Sequence, residues 1–102
     1  MTWVRTVEAA TVANDEVVGV RAAGRAIALF CVDGAIHATE NICTHGFAAL
    51  STGRLDGPVI ECPLHRGLFD VRTGEAVGPP CTDPARTFPV RVEQGFVHVL
   101  LE

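Results

Sequence analysis

The chain reads as an all-β protein on three observations. Short apolar stretches recur between Gly-containing turns, no stretch keeps helical periodicity over three turns, and Asp-Gly separates two apolar runs. Taken in order, Glu16 to Arg21 and Arg25 to Val32 are strands flanking Ala22-Ala23-Gly24, and Asp33-Gly34 separates Val32 from a strand at Ala35 to Thr39. A two-residue hairpin turn needs positive φ, which Gly and Asp tolerate, so a meander is predicted here. Asp56-Gly57, Thr73-Gly74 and Gln94-Gly95 mark further turns. Near the C-terminus Phe88, Val90 and Val92 alternate with Thr87, Pro89 and Arg91, which predicts one buried and one wet face. Pro89 has no N–H for a ladder and belongs at an edge or at the start of a strand. A last strand is expected from Phe96 to Leu101.

At 102 residues the chain is a single domain, with no internal repeat, low-complexity tract or linker. Its apolar fraction of 48% and charged fraction of 20% are those of an ordinary globular protein. All eight basic residues are Arg, against twelve acidic ones, for a net charge of -4. That balance argues against nucleic acid, which is held by clustered positive charge. It suits brief docking to a more basic partner, where charge speeds encounter more than it tightens the complex. No apolar run approaches the roughly 18 residues of a membrane helix. Met1-Thr2-Trp3-Val4-Arg5 lacks a signal-peptide core, so a cytoplasmic location is expected; the chain is also expected to be a monomer.

Chemistry is concentrated in two short clips, Cys43-Thr44-His45 and Cys62-Pro63-Leu64-His65, separated by Gly46 to Glu61. Each offers one thiolate and one imidazole. Two unlike donors repeated on two loops suit a pair of metal ions held unequally, as in a 2Fe-2S cluster with two Cys on one iron and two His on the other. Cys2His2 is also a zinc set, although zinc sites favour clips of paired Cys or paired His. Both clips fall outside the expected strands, on loops Asn41 to Gly46 and Glu61 to Gly67, where side chains can converge from two directions. Cys31 and Cys81 remain, as a disulfide or as two thiols, and a reducing compartment favours thiols.

The clip spacing, Gly46 after the first His and Pro63 after the second Cys resemble the cluster-binding signature of the Rieske family. The resemblance covers nearly the whole chain. It is densest at Asn41-Ile42-Cys43-Thr44-His45-Gly46, Leu55-Asp56-Gly57, Ile60-Glu61-Cys62-Pro63-Leu64-His65 and Phe69-Asp70-Val71-Arg72-Thr73-Gly74. It implies one Rieske 2Fe-2S cluster bound by Cys43, His45, Cys62 and His65. It also implies a Rieske fold in which a small cluster-binding subdomain of roughly residues 38–82 sits on a β-sandwich or barrel-like base from 1–37 and 83–102. Among Rieske proteins the chain is most similar to the ferredoxins of bacterial aromatic-ring-hydroxylating dioxygenase systems of the naphthalene and biphenyl types. Such a ferredoxin takes electrons from an NAD(P)H-dependent flavoprotein reductase and passes them singly to a terminal oxygenase, without an active site of its own. The small subunit of an assimilatory nitrite reductase shares the fold but often lacks the ligands, and the complete set here counts against it.

Respiratory and photosynthetic Rieske proteins carry an extra Cys in each clip, joined as a brace, and a Ser and a Tyr that hydrogen-bond sulfur. By resemblance these positions are Ala48, Leu64, Gly67 and Phe69, so the bridging and donor groups are missing. Fewer donors to sulfur disfavour the extra electron and lower the potential. Gly78-Pro79-Pro80 resembles the family's proline-rich loop over the cluster. His37 and His98 lie in expected strands away from both clips and read as structural or surface residues. Asp70 matches a family position or is a solvated turn carboxylate, and Arg66 is expected exposed near the docking face.

Overall fold

The computed structural model describes residues 1–43, 48–64, 66–79 and 82–101. The chain forms β1 (Thr2–Glu8), β2 (Val17–Ala22), β3 (Arg25–Val32), β4 (Ala35–Glu40), β5 (Arg54–Asp56), β6 (Val59–Glu61), β7 (Leu68–Asp70), β8 (Ala76–Gly78), β9 (Thr87–Phe88), β10 (Val90–Glu93) and β11 (Phe96–Leu101). Helical structure among the described residues is confined to single 3-10 turns at Ala9–Thr11 and Leu50–Thr52. None of it is long and apolar enough to cross a membrane. The strands make three antiparallel sheets, ordered β1-β11-β10, β2-β3-β4-β9 and β5-β6-β7-β8.

The expected meander is present, and its turns share one chemistry. Ala23-Gly24, Asp33-Gly34 and Gln94-Gly95 each place both central residues at positive φ, between 50° and 80°. That conformation twists the chain as the flanking strands twist, which is why two residues suffice. Ala22 belongs to β2 and not to the first turn, because its N–H and C=O face Arg25 across the ladder.

β3 explains how one small chain supports two cores. Ile27 to Val32 are all buried, and alternate side chains point to opposite faces. Ile27, Leu29 and Cys31 pack with Ala38, Phe88, Val97, Val99 and Leu101. Ala28, Phe30 and Val32 pack with Cys43, Leu50, Ile60, Cys62, Phe69 and Val71. The second sheet thus lies between the first sheet and the small sheet β5–β8.

Two expectations change. The alternation from Thr87 to Val92 is not one strand: it breaks at Pro89, where pairing passes from β4, partner of β9, to β11, partner of β10. Pro89 can serve at that junction because it needs only to accept, and its C=O takes the Leu100 N–H at 3.0 Å. Val92 is also 51% exposed instead of buried. β10 is the edge strand of its sheet, and its core-facing row packs no farther than Val90. The N-terminal strand β1, unmarked by turn signals, pairs with β11 through a bulge between Arg5 and Glu8.

Candidate metal centre

Cys43 and Cys62 each open a loop closed by the same kind of backbone bond. The Cys43 N–H donates to the Ala48 carbonyl at 2.9 Å, and the Cys62 N–H donates to the Gly67 carbonyl at 2.7 Å, so each cysteine closes a six-residue loop on itself. In the second loop the Arg66 N–H also returns to the Cys62 carbonyl at 3.0 Å. Arg66 is exposed and takes φ 61°, the left-handed conformation that lets the chain reverse within so few residues. Each clip is anchored by sheet on at least one side: Asn41 leaves β4 two residues before Cys43, and Cys62 and Gly67 lie between the paired strands β6 and β7.

Both cysteines are buried, at 2% and 0% exposure, and both belong to the core beneath Phe30, Leu50, Ile60 and Phe69. Two buried sulfurs brought into one apolar cluster are a donor set that fits an iron-sulfur group. The expected imidazole donors His45 and His65 lie outside the described residues, as do Gly46, Pro80 and Cys81. Around the loops, Ile42 and Leu64 are half exposed, and Pro63 and Pro79 face solvent. Gly78 ends β8 opposite Leu68, and a β-carbon there would meet the Leu68 side chain at 2.8 Å, so the proline-containing loop starts only at Pro79.

Cys31 is elsewhere. It is a thiol of β3 on the other core, reaching Asn14 Oδ1 at 3.7 Å, and is not part of a disulfide. His98 lies on β11 between Arg5 and Arg91 of the neighbouring strands, in the sheet whose buried residues Val97, Val99 and Leu101 belong to the other core.

Asp70 and His37 meet in a small charged group. Arg72 donates from Nε and Nη2 to the two Asp70 carboxylate oxygens, at 3.1 and 2.9 Å, and from its backbone N–H at 2.9 Å. These bonds hold the Asp70 carboxyl below the usual range, against a smaller opposing effect of burial. His37 is held below the ordinary imidazole value by burial and by Arg72, with Asp70 partly opposing. For both groups the folded pKa is depressed, so each contributes stability above its unfolded pKa that is lost as pH falls through the folded value. The unfolded values are about 6.5 for His and about 3.9 for Asp. In urea titrations across pH, His37→Asn should therefore remove loss of stability that begins below about pH 6.5, and Asp70→Asn the loss that begins below about pH 4.

The Rieske [2Fe-2S] domain family matches residues 2–89. The chain belongs to the Rieske family. Within the family it is 46% identical over 91 residues to the ferredoxin component of the naphthalene 1,2-dioxygenase system of Pseudomonas putida, covering 89% of this chain and 88% of that one. The ferredoxin of Sphingomonas yanoikuyae B1 superposes with a TM-score of 0.92 at 42% identity, covering 96% and 97% of the two chains. A chain from the complex of reduced oxygenase and oxidized ferredoxin in carbazole 1,9a-dioxygenase superposes with a TM-score of 0.90, also at 42% identity, covering 95% and 91%.

One feature of the site escapes sequence reasoning. Asn41 and Ser51, on either side of the first clip, are joined side chain to side chain and side chain to backbone. Asn41 is visible in the motif, but nothing in the spacing marks Ser51 as its partner.

Proposed function

We propose that this chain is a one-electron carrier serving an aromatic-ring-hydroxylating dioxygenase system. The observation that supports it best is the pair of buried cysteines, each with its N–H bonded five residues ahead, in one core. Cys43 and Cys62 would hold one iron and His45 and His65 the other, with roughly residues 38–82 acting as the cluster-binding subdomain. When bound, the cluster supplies a single reversible electron. The chain contributes two thiolates kept from water, a second loop stiffened by Pro63, and a half-exposed apolar rim at Ile42 and Leu64. A small rim suits redox encounters, which are brief and bury little area. The partners we assign are a flavoprotein ferredoxin reductase upstream and a terminal oxygenase downstream, and aromatic chemistry itself falls to the oxygenase.

The residues at the four family positions that carry hydroxyl or bridging groups in high-potential relatives are apolar here. Phe69 is buried at 1% exposure, Ala48 packs on the core, and Gly67 offers its carbonyl to Cys62. Rieske centres span roughly -150 to +300 mV. Spectroelectrochemistry should place this midpoint below about 0 mV, near the bottom of that range. The test of the functional reading is a rhombic paramagnetic signal after chemical reduction, with iron and labile sulfide in equal amounts. Colourless protein holding one zinc would refute it.

A further inference from the structure

Four described residues form a continuous connection between the two clips. Asn41 lies two residues before Cys43, and its own N–H is fixed to the Ala26 carbonyl of β3 at 3.0 Å. Its Nδ2 donates to Ser51 Oγ at 2.8 Å, and the Ser51 N–H donates to its Oδ1 at 2.7 Å. This two-point bond ties the entry of the first loop to the 3-10 turn Leu50–Thr52 that follows it. From that turn the chain passes to Gly53, which lies so close to the second clip that a β-carbon would sit 2.0 Å from the Glu61 carbonyl oxygen. Glu61 is the residue before Cys62. Underneath, Gly19 of β2 leaves room for the bonded pair, since a β-carbon there would sit 2.7 Å from Ser51 Oγ and 3.0 Å from Asn41 Nδ2.

We propose that Asn41, acting through Ser51 and Gly53, is a positioning residue that sets the first cysteine clip against the second, a non-covalent brace in a chain whose clips have no disulfide partners of the kind noted above. The proposal rests on the reading of Cys43 and Cys62 as cluster ligands. The pair is suited to this role because an amide bonded at both ends fixes orientation as well as distance, and because partly buried bonds of this kind leave a polar group unsatisfied when one partner is removed. Loss of the brace lets the two loops move independently, and outer groups that orient metal ligands are worth about 10 to 100-fold in metal affinity.

The test compares the cluster-loaded protein with variants, reading the rate of bleaching by an iron chelator and the line widths of the reduced paramagnetic signal. Asn41→Ala should bleach about tenfold faster or more and show a broadened signal. Ser51→Ala, which keeps the backbone bond, should bleach faster by a smaller factor and add nothing when combined with Asn41→Ala. Asn41→Asp should recover most of the wild-type rate, since its carboxylate accepts the Ser51 N–H and the Ser51 hydroxyl can turn to donate. Thr6→Val, which removes the Thr6 Oγ1 bond to the Val97 carbonyl in the far sheet, serves as the control for general destabilisation. Bleaching that follows melting temperature alike in Thr6→Val and Asn41→Ala, or an Asn41→Ala rate within twofold of wild type, would overturn the proposal while leaving the functional reading intact. A wild type that binds no cluster would overturn both.

Discussion

On the proposed reading of Cys62 as a cluster ligand, a Cys62→Ser variant should lose its visible absorption and its paramagnetic signal and keep a β-sheet circular dichroism spectrum. Cys62 is fully buried at the start of the second loop, with its N–H tied to the Gly67 carbonyl, so its backbone is held in place. Serine preserves size and backbone but replaces an ionisable, soft donor with a hydroxyl that stays protonated at neutral pH. Removing an outer group that orients a metal ligand already costs about 10 to 100-fold in affinity, and removing the ligand costs at least that. The fold should persist because the core between the first two sheets contains neither Cys43 nor Cys62. Cys31→Ser makes the contrast: it is buried in that other core, with Asn14 as its neighbour, and the variant should stay coloured while losing some stability from the buried hydroxyl. Iron content and the visible spectrum of the two variants decide the matter, and full occupancy in Cys62→Ser would contradict the ligand set.

How much of this was legible follows from which signals are local. Asp33-Gly34 and Gln94-Gly95 announce their turns because the residue types that tolerate positive φ are few, and both turns form as expected. β1 is hidden because its bulge between Arg5 and Glu8 shifts the alternation, leaving Val4 and Val7, both packed on the core, three residues apart. The strands β5 to β8 have three residues each, too few for a period of two to show. Pro89 was readable as a place where no donor is available, yet the change of sheet there depends on β4 and β11, which are distant in sequence.

The same division applies to the site. Clip spacing is local and marks Cys43 and Cys62 at once, whereas their burial depends on Phe30 and Leu50, contributed by other parts of the chain. The Asn41–Ser51 pair has no periodicity and no metal-ligand chemistry, so it emerges only when β4 and the 3-10 turn are seen side by side. His37, Asp70 and Arg72 also come together only in the fold, where sheet pairing places His37 opposite Phe30 on the face of β4 turned toward the small sheet.

Phe30 is where base and site depend most on one side chain. It is fully buried near the middle of β3 and packs in the core that contains Cys43, Cys62, Ile60 and Phe69. Phe→Ala at such a position removes the transfer energy of the ring and leaves a cavity, a cost of about 3 to 5 kcal/mol. A domain of this size is stable by only about 5 to 15 kcal/mol, so Phe30→Ala removes a large share of the total. At about 4 to 8 °C per kcal/mol, the melting temperature should fall by more than about 12 °C. The urea midpoint should fall with it at unchanged slope, since the surface exposed on unfolding stays nearly the same. The cavity opens beneath both cysteine loops, so bleaching by chelator should accelerate in the same variant. Val99→Ala, cut from the other core, should lower the melting temperature with a smaller effect on bleaching. If the two variants bleached equally at matched stability, the core beneath the clips would have no special part in holding them.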